Sequence, residues 1–330
     1  MNLRRWPLIG IIIALFSLTA CASSLQSFAS RVGNVTITSS DVVAYIKAFA
    51  VVAQVPASQS EIAPDGSIAS ASAAAARLSQ LTNVEAFRQV LAKHGVHVTD
   101  QQRLSLTNLI LASSGASATQ RLGTLSARQR KLLLETNILP GLFSAIVNGA
   151  TASDTAPIVC ARELAFSATA DATAALGQSK TSGSFKNANG GVDPAETCVV
   201  DVKGGVSPLQ VAIAGQAVNS FVGPFKISGG SNGDEFHIAQ VTSRKTLTFA
   251  DWPVEALDSF PPKPGANVGA FVKEVRALKV QVNPRFGTLV TNPAQASQIC
   301  GPSTIECINA PQDRSVQTLP PSSPNSLLQP

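Results

Sequence analysis

Residues 221–243 read FVGPFKISGGSNGDEFHIAQVTS. Two strand-like runs, 221–228 and 235–243, flank Gly229-Gly230-Ser231-Asn232-Gly233. Gly and Asn tolerate the positive φ a tight turn needs, so the stretch predicts a β-hairpin. Upstream, PIVCARELAFS at 157–167 reads as a strand and 168–177 as a helix. Residues 178–205 are rich in Gly, Ser, Asn and Lys and read as loop, and 207–220 suit a helix. The order βα, loop, α, hairpin describes a small α+β domain.

Outward from this core, 39–149 reads as helices. A strand with a Gly-Asn turn, RVGNVTIT at 31–38, precedes them. Ser39 or Ser40 is positioned to cap a helix from Asp41 to Gln54, with Asp41 in its first turn. Residues 57–76 read as a loop giving way to helix. Helical patterning resumes at 83–94 with Asn83 as cap, then at 100–113, and at 126–148 behind Ser126. Pro140 is expected to kink or divide the last of these. Residues 249–264 are Pro-rich and irregular, 265–277 form a helix, and ALKVQVN at 277–283 is a closing strand. After Pro293 the sequence loses periodicity, and 291–330 is expected to be a largely disordered tail.

The N-terminus addresses the compartment. MNLRRWPLIGIIIALFSLTAC at 1–21 has a basic start, a short apolar run and small residues before a Cys. This is the pattern of a secretory signal over 1–20, too short for a confident membrane span. Its ending, Leu18-Thr19-Ala20-Cys21, resembles the bacterial lipobox, which implies lipidation of Cys21, a tether over 21–30 and an extracytoplasmic location on the membrane face. Four other cysteines, Cys160, Cys198, Cys300 and Cys307, allow three pairings. An oxidising exterior favours disulfides, and separation along the chain favours Cys160–Cys198 with Cys300–Cys307.

Composition excludes several functions. The chain has 330 residues, 45% hydrophobic and 14% charged, so it is not disordered overall. Removing Arg4 and Arg5 with the leader lowers the net charge from +5 to +3. That surplus is scattered, and aromatics are 5%, so no nucleic-acid partner is expected. His94 and His97 stand three apart, but Gly95 breaks the helix that would align them, and no metal or other cofactor is expected. There is no phosphate-cradling loop and no nucleophile elbow.

Several pieces together resemble one family. RVGNVTITSSDV at 31–42 and KHGVHVTDQQ at 93–102 are similar to the opening and an interhelical link of SurA-like extracytoplasmic chaperones. CARELAFSATADATAAL at 160–176 and VGPFKISGGSNGDEFHIAQVTSR at 222–244 resemble the start and end of a parvulin-type peptidyl-prolyl isomerase domain. VQVNPRFGT at 280–288 resembles the closing strand of actinobacterial lipoproteins of this group.

The resemblance implies a helical chaperone domain over 31–150, a parvulin-like insertion over 155–246, and a segment at 247–290 that returns to the first domain. Strands at its two ends would pair and close the helical domain. It implies polypeptide clients, unfolded or newly exported. Isomerases of this type lower a barrier of about 20 kcal/mol without covalent chemistry. Their sites use two core histidines, a Cys or Asp, and an apolar pocket. Here His237 matches one histidine, Glu163 stands where the other belongs, and no clear Cys or Asp occupies the central position. Phe221, Phe225 and Phe236 are the candidates for the apolar groove. These departures imply a lost isomerase activity. The alternatives are an active isomerase using His237 and a non-catalytic accessory lipoprotein that docks one partner.

Overall fold

The computed structural model describes residues 28–55, 60–63, 68, 70–114, 117–190, 194–202, 205–230, 233–290 and 298–300. The expected leader, Cys21, Cys307 and most of the tail lie outside the described residues. The fold is α+β and its chain divides into two units. Of the described residues, the first unit takes 28–50, those within 54–85 and those from 278 onward; the second takes 51–53 and 86–277.

In the first unit, β1 (Phe28–Val32) and β2 (Val35–Thr38) form an antiparallel hairpin. Its turn places Gly33 at φ 56, the left-handed region that favours glycine. The far end of the chain returns as β7 (Val280–Val282), antiparallel to β1, with Ser30 opposite Val282 and Val32 opposite Val280. The Gly33 amide also donates to the Lys279 carbonyl at 2.9 Å. The expected pairing of the two end strands is present, and β1 is the centre of the sheet β2-β1-β7.

Helix α1 (Ser39–Val52) begins after Thr38, not after Ser39 or Ser40. The Thr38 hydroxyl accepts from the Asp41 amide at 3.2 Å, and the Asp41 carboxylate accepts from the Thr38 amide at 2.9 Å. This reciprocal arrangement satisfies two otherwise orphaned donors. Helix α2 (Ala71–Lys93) starts twelve residues before the expected Asn83 cap. Its opening is Ala-rich, the best intrinsic helix former, and Ser70 caps it by accepting from the Ala73 amide at 3.1 Å. Two short strands, β8 (Thr288–Val290) and β9 (Gln298–Cys300), pair antiparallel where no regular structure was expected.

The second unit contains α3 (Asp100–Ser114), α4 (Ser117–Thr124) and α5 (Ala127–Val147). Ser126 and Gln129 form a reciprocal capping box on α5. Pro140 does not divide this helix. Its apolar face, including Leu133, Ile138, Leu142 and Ile146, is buried on both sides of the proline and keeps the element whole. The Glu135 side chain is 5% exposed and is held by Arg88 at 2.8 Å and Arg103 at 3.0 Å. Two cations on one carboxylate offset the cost of burying it.

The α+β core of this unit follows: β3 (Thr155–Phe166), α6 (Thr169–Ser182), β4 (Glu196–Val200), α7 (Pro208–Ile213), β5 (Phe221–Gly230) and β6 (Gly233–Thr248). Its antiparallel sheet has the order β4-β3-β6-β5. Strand β4 lies inside the stretch expected to be loop, and α7 covers only the first part of the helix expected over 207–220. Helix α7 is capped by Ser207, which accepts from the Gln210 amide at 3.1 Å. Short α8 (Val254–Asp258) lies in the Pro-rich stretch, and α9 (Val268–Ala277) follows it.

The sheet has two covered faces. On one, Val159, Ala161, Ala239 and Val241 pack with Leu209 and Ile213 of α7. On the other, Ile238, Leu164, Phe166 and Phe236 pack with Ala172, Ala175 and Leu176 of α6 and with Phe185.

Candidate functional site

Residue alternation along a strand decides which side chains can meet. Glu163 faces Ala239 across the β3–β6 ladder, and Ala165 faces His237. Glu163 and His237 are therefore diagonal neighbours on the α7 face. Glu235 lies two residues before His237 on β6, hence on the same face. Phe225 sits directly opposite His237 on β5.

These four side chains meet. His237 Nδ1 lies 2.8 Å from Glu163 Oε1, a close contact whose alignment falls short of a hydrogen bond. His237 Nε2 lies 3.3 Å from Glu235 Oε2, within hydrogen-bonding range. The Phe225 ring stacks on the imidazole with centroids 5.8 Å apart and planes 28° apart. The His237 side chain is 11% exposed, against 25% for Glu163 and 31% for Glu235. Burial pushes the Glu163 carboxyl above its usual range; His237 opposes the rise and Glu235 adds to it.

Close backbone approach makes this arrangement possible. At Gly223, φ is +115, and an added Cβ would stand 2.7 Å from the His237 carbonyl oxygen and 3.1 Å from Ile238 Cα. Only glycine fits there. Gly223 and Pro224 form a bulge: Val222 pairs with Ala239 and Phe225 with His237, leaving two residues of β5 opposite Ile238.

That bulge sorts the aromatic candidates. Phe221 and Phe236 stand in the core against α6, where Phe221 meets the fully buried Phe185 edge-on with centroids 5.4 Å apart. Phe225 alone of the three stands beside His237. The three therefore do not line one groove. Sequence reasoning singled out His237, Glu163 and Phe225 but missed Glu235 and Gly223. Glu235 carried a usable signal, since two residues apart on a strand means one face.

Cys160 and Cys198 are opposite each other on β3 and β4 and are joined as a disulfide. Cys198 thus offers no free thiol to the site. Cys300 lies on β9, while its expected partner Cys307 is outside the described residues. His94 does not approach a metal cluster; its Nε2 lies 3.1 Å from Glu274 Oε1 and its ring packs on Phe271. Among the described residues no group of three or more His, Cys, Asp or Glu is arranged to hold a metal.

The arrangement restricts what His237 can do. An imidazole with a carboxylate near each nitrogen and a ring stacked on one face is held in orientation, and its Nδ1 is buried.

No protein-family model matches the chain, and no curated protein matches it. Among solved structures, it is similar to the foldase protein PrsA from Lactococcus lactis, at 16% identity and a TM-score of 0.27, over 78% of this chain and 96% of that one. It is also similar to PrsA from Streptococcus pneumoniae, at 13% identity and a TM-score of 0.29, over 63% and 87% of the two chains. Scores this low establish neither family nor function.

Proposed function

We propose that this protein is a membrane-anchored extracytoplasmic chaperone that binds unfolded or newly exported polypeptides, and that its isomerase-like site does not catalyse. The observation carrying the second half is the clamp on His237: Glu163 at one ring nitrogen and Glu235 at the other. An isomerase must present groups to the X–Pro amide that bind its twisted state better than its planar state. Here the residue in the histidine position is committed to its own neighbours. The βαβαββ order of 155–248 supports the parvulin-like reading of the sequence, and the β1–β7 pairing supports a chaperone domain closed by its two ends.

The anchor in this reading is the lipidated Cys21, with the folded units outside the membrane. Among the described residues no helix is long and apolar enough to cross one. Client binding is non-covalent, and no cofactor takes part.

Light scattering from several unrelated unfolded proteins, diluted from denaturant with and without this protein, tests the chaperone assignment. The expected result is lower scattering for most clients at stoichiometric amounts. No suppression for any client, with one partner copurifying from the native membrane, would replace the chaperone by an accessory docking protein.

A further inference from the structure

A second feature of the sheet lies away from His237. The side chains of Ile158 and Cys160 on β3, with Ser243, Lys245 and Leu247 on β6, fall at alternate positions and share one face at the far end of the ladder. All five line a cavity of about 370 Å³, completed by Gln101, Asp251 and Pro253. One wall of this cavity is thus half of a disulfide.

The two sulfurs sit in different surroundings. Cys160 is on an inner strand and 9% exposed. Cys198 is on β4, the sheet edge, and is half-buried. Beyond it, Val199 and Val200 are buried, and the Val200 amide donates to Ser259 Oγ at 2.8 Å. The bridge therefore adds a covalent tie to the outer end of an edge strand that is also held there by its pairing with β3. A cation, Lys245, and a carboxylate, Asp251, both line the cavity beside Cys160. Asp251 accepts from the Thr248 hydroxyl at 2.6 Å.

We propose that the Cys160–Cys198 bridge is a thiol–disulfide exchange site in the folded protein, open to small thiols. A thiolate attacks Cys198 Sγ, and a new S–S bond forms there. The Cys160–Cys198 bond breaks with its electron pair on Cys160 Sγ, which takes a proton from water. A second thiolate attacks the mixed disulfide, freeing the Cys198 thiol and releasing the oxidised small disulfide. Two electrons pass to the protein from two thiols. Exchange rates depend on access and on stabilisation of the leaving thiolate. Lys245 supplies that stabilisation, and Asp251 opposes it. Reduction loosens the outer end of β4, which keeps its pairing with Ala161 and Arg162 and the Thr242–Glu196 contact, while Val199 and Val200 stay buried.

The test uses the full chain and reduced glutathione, with reduction of this pair followed by alkylation and peptide mass mapping. The expected rate rises linearly with glutathione concentration, and the first adduct is glutathione on Cys198 with Cys160 free. Lys245→Met slows the reaction about threefold and Asp251→Asn speeds it by a similar factor. A rate that saturates at the global unfolding rate overturns the proposal, as does a first adduct on Cys160. Charge variants that both leave the rate unchanged, or shift it in the same direction, overturn the role given to Lys245 and Asp251. The wild-type kinetics decide the central point whether or not a variant folds.

Discussion

The two faces of the sheet β4-β3-β6-β5 are built from the same strands and differ in kind. Under α6 the first face is apolar and closed, with Phe185, Phe221, Phe236 and Ile238 packed together. The α7 face begins the same way, with Val159, Ala161, Ala239 and Val241 under α7, but beyond that helix it carries Glu163, His237 and Glu235. Dispersion and the hydrophobic effect hold the first face; on the second, charges must compensate one another in a poorly hydrated spot. The opposite face can maintain the fold whatever side chains the His237 face carries.

Breaking the closed face is expected to have the largest effect. Phe185→Ala empties a fully buried position and should cost about 3–5 kcal/mol in urea unfolding. Phe225→Ala, at a partly buried position beside His237, should cost far less. Similar costs at the two positions would erase the distinction between the faces.

Gly223→Ala joins the two faces, since the bulge there sets which side each aromatic takes. A left-handed φ and a Cβ 2.7 Å from a backbone oxygen predict a loss of about 2–3 kcal/mol. Amide exchange should show β5 and β6 loosening first.

His237→Ala leaves two carboxylates facing each other and should cost about 1–2 kcal/mol near neutral pH. Its pH signature is sharper than its size. In the native protein burial already raises Glu163 above its ordinary value of 4.5, so the folded state holds that proton longer than the unfolded state. Stability therefore falls as pH rises from about 4.5 through the raised value. Losing His237 removes the opposing attraction, so the fall should steepen and extend to higher pH.

Glu235→Gln should have the smallest effect, within about 0.5 kcal/mol, because its side chain is 31% exposed. It should flatten the same pH dependence slightly, since Glu235 adds to the rise at Glu163. A steeper dependence would contradict the assigned interaction.

Much of this was legible in the sequence. The alternating RVGNVTIT and ALKVQVN segments held β2, β7 and the end of β1, which begins at Phe28 inside the expected tether, and Ser126 marked the start of α5. The Cys160–Cys198 choice rested on chain separation alone, and register places the two opposite each other. What was missed has physical causes. Strand β4 buries only Val199 and Val200 fully, too short an apolar signal to stand out from Gly/Ser/Asn surroundings. Phe221 and Phe225 are four apart and would share a face on a regular strand; the bulge at Gly223-Pro224 sends them to opposite faces. Thr38 outcompeted the two serines as cap because Asp41 is three residues beyond it and answers reciprocally.

The central claim is that the His237 face does not catalyse while the protein still protects unfolded chains. Its most direct test follows the refolding of a test protein limited by X–Pro isomerisation, with the wild-type chain and with His237→Ala, recording rate and final yield together. The expected result is an unchanged rate and a raised yield for both proteins. A faster rate with the wild type that disappears in His237→Ala would contradict it and make this protein an isomerase.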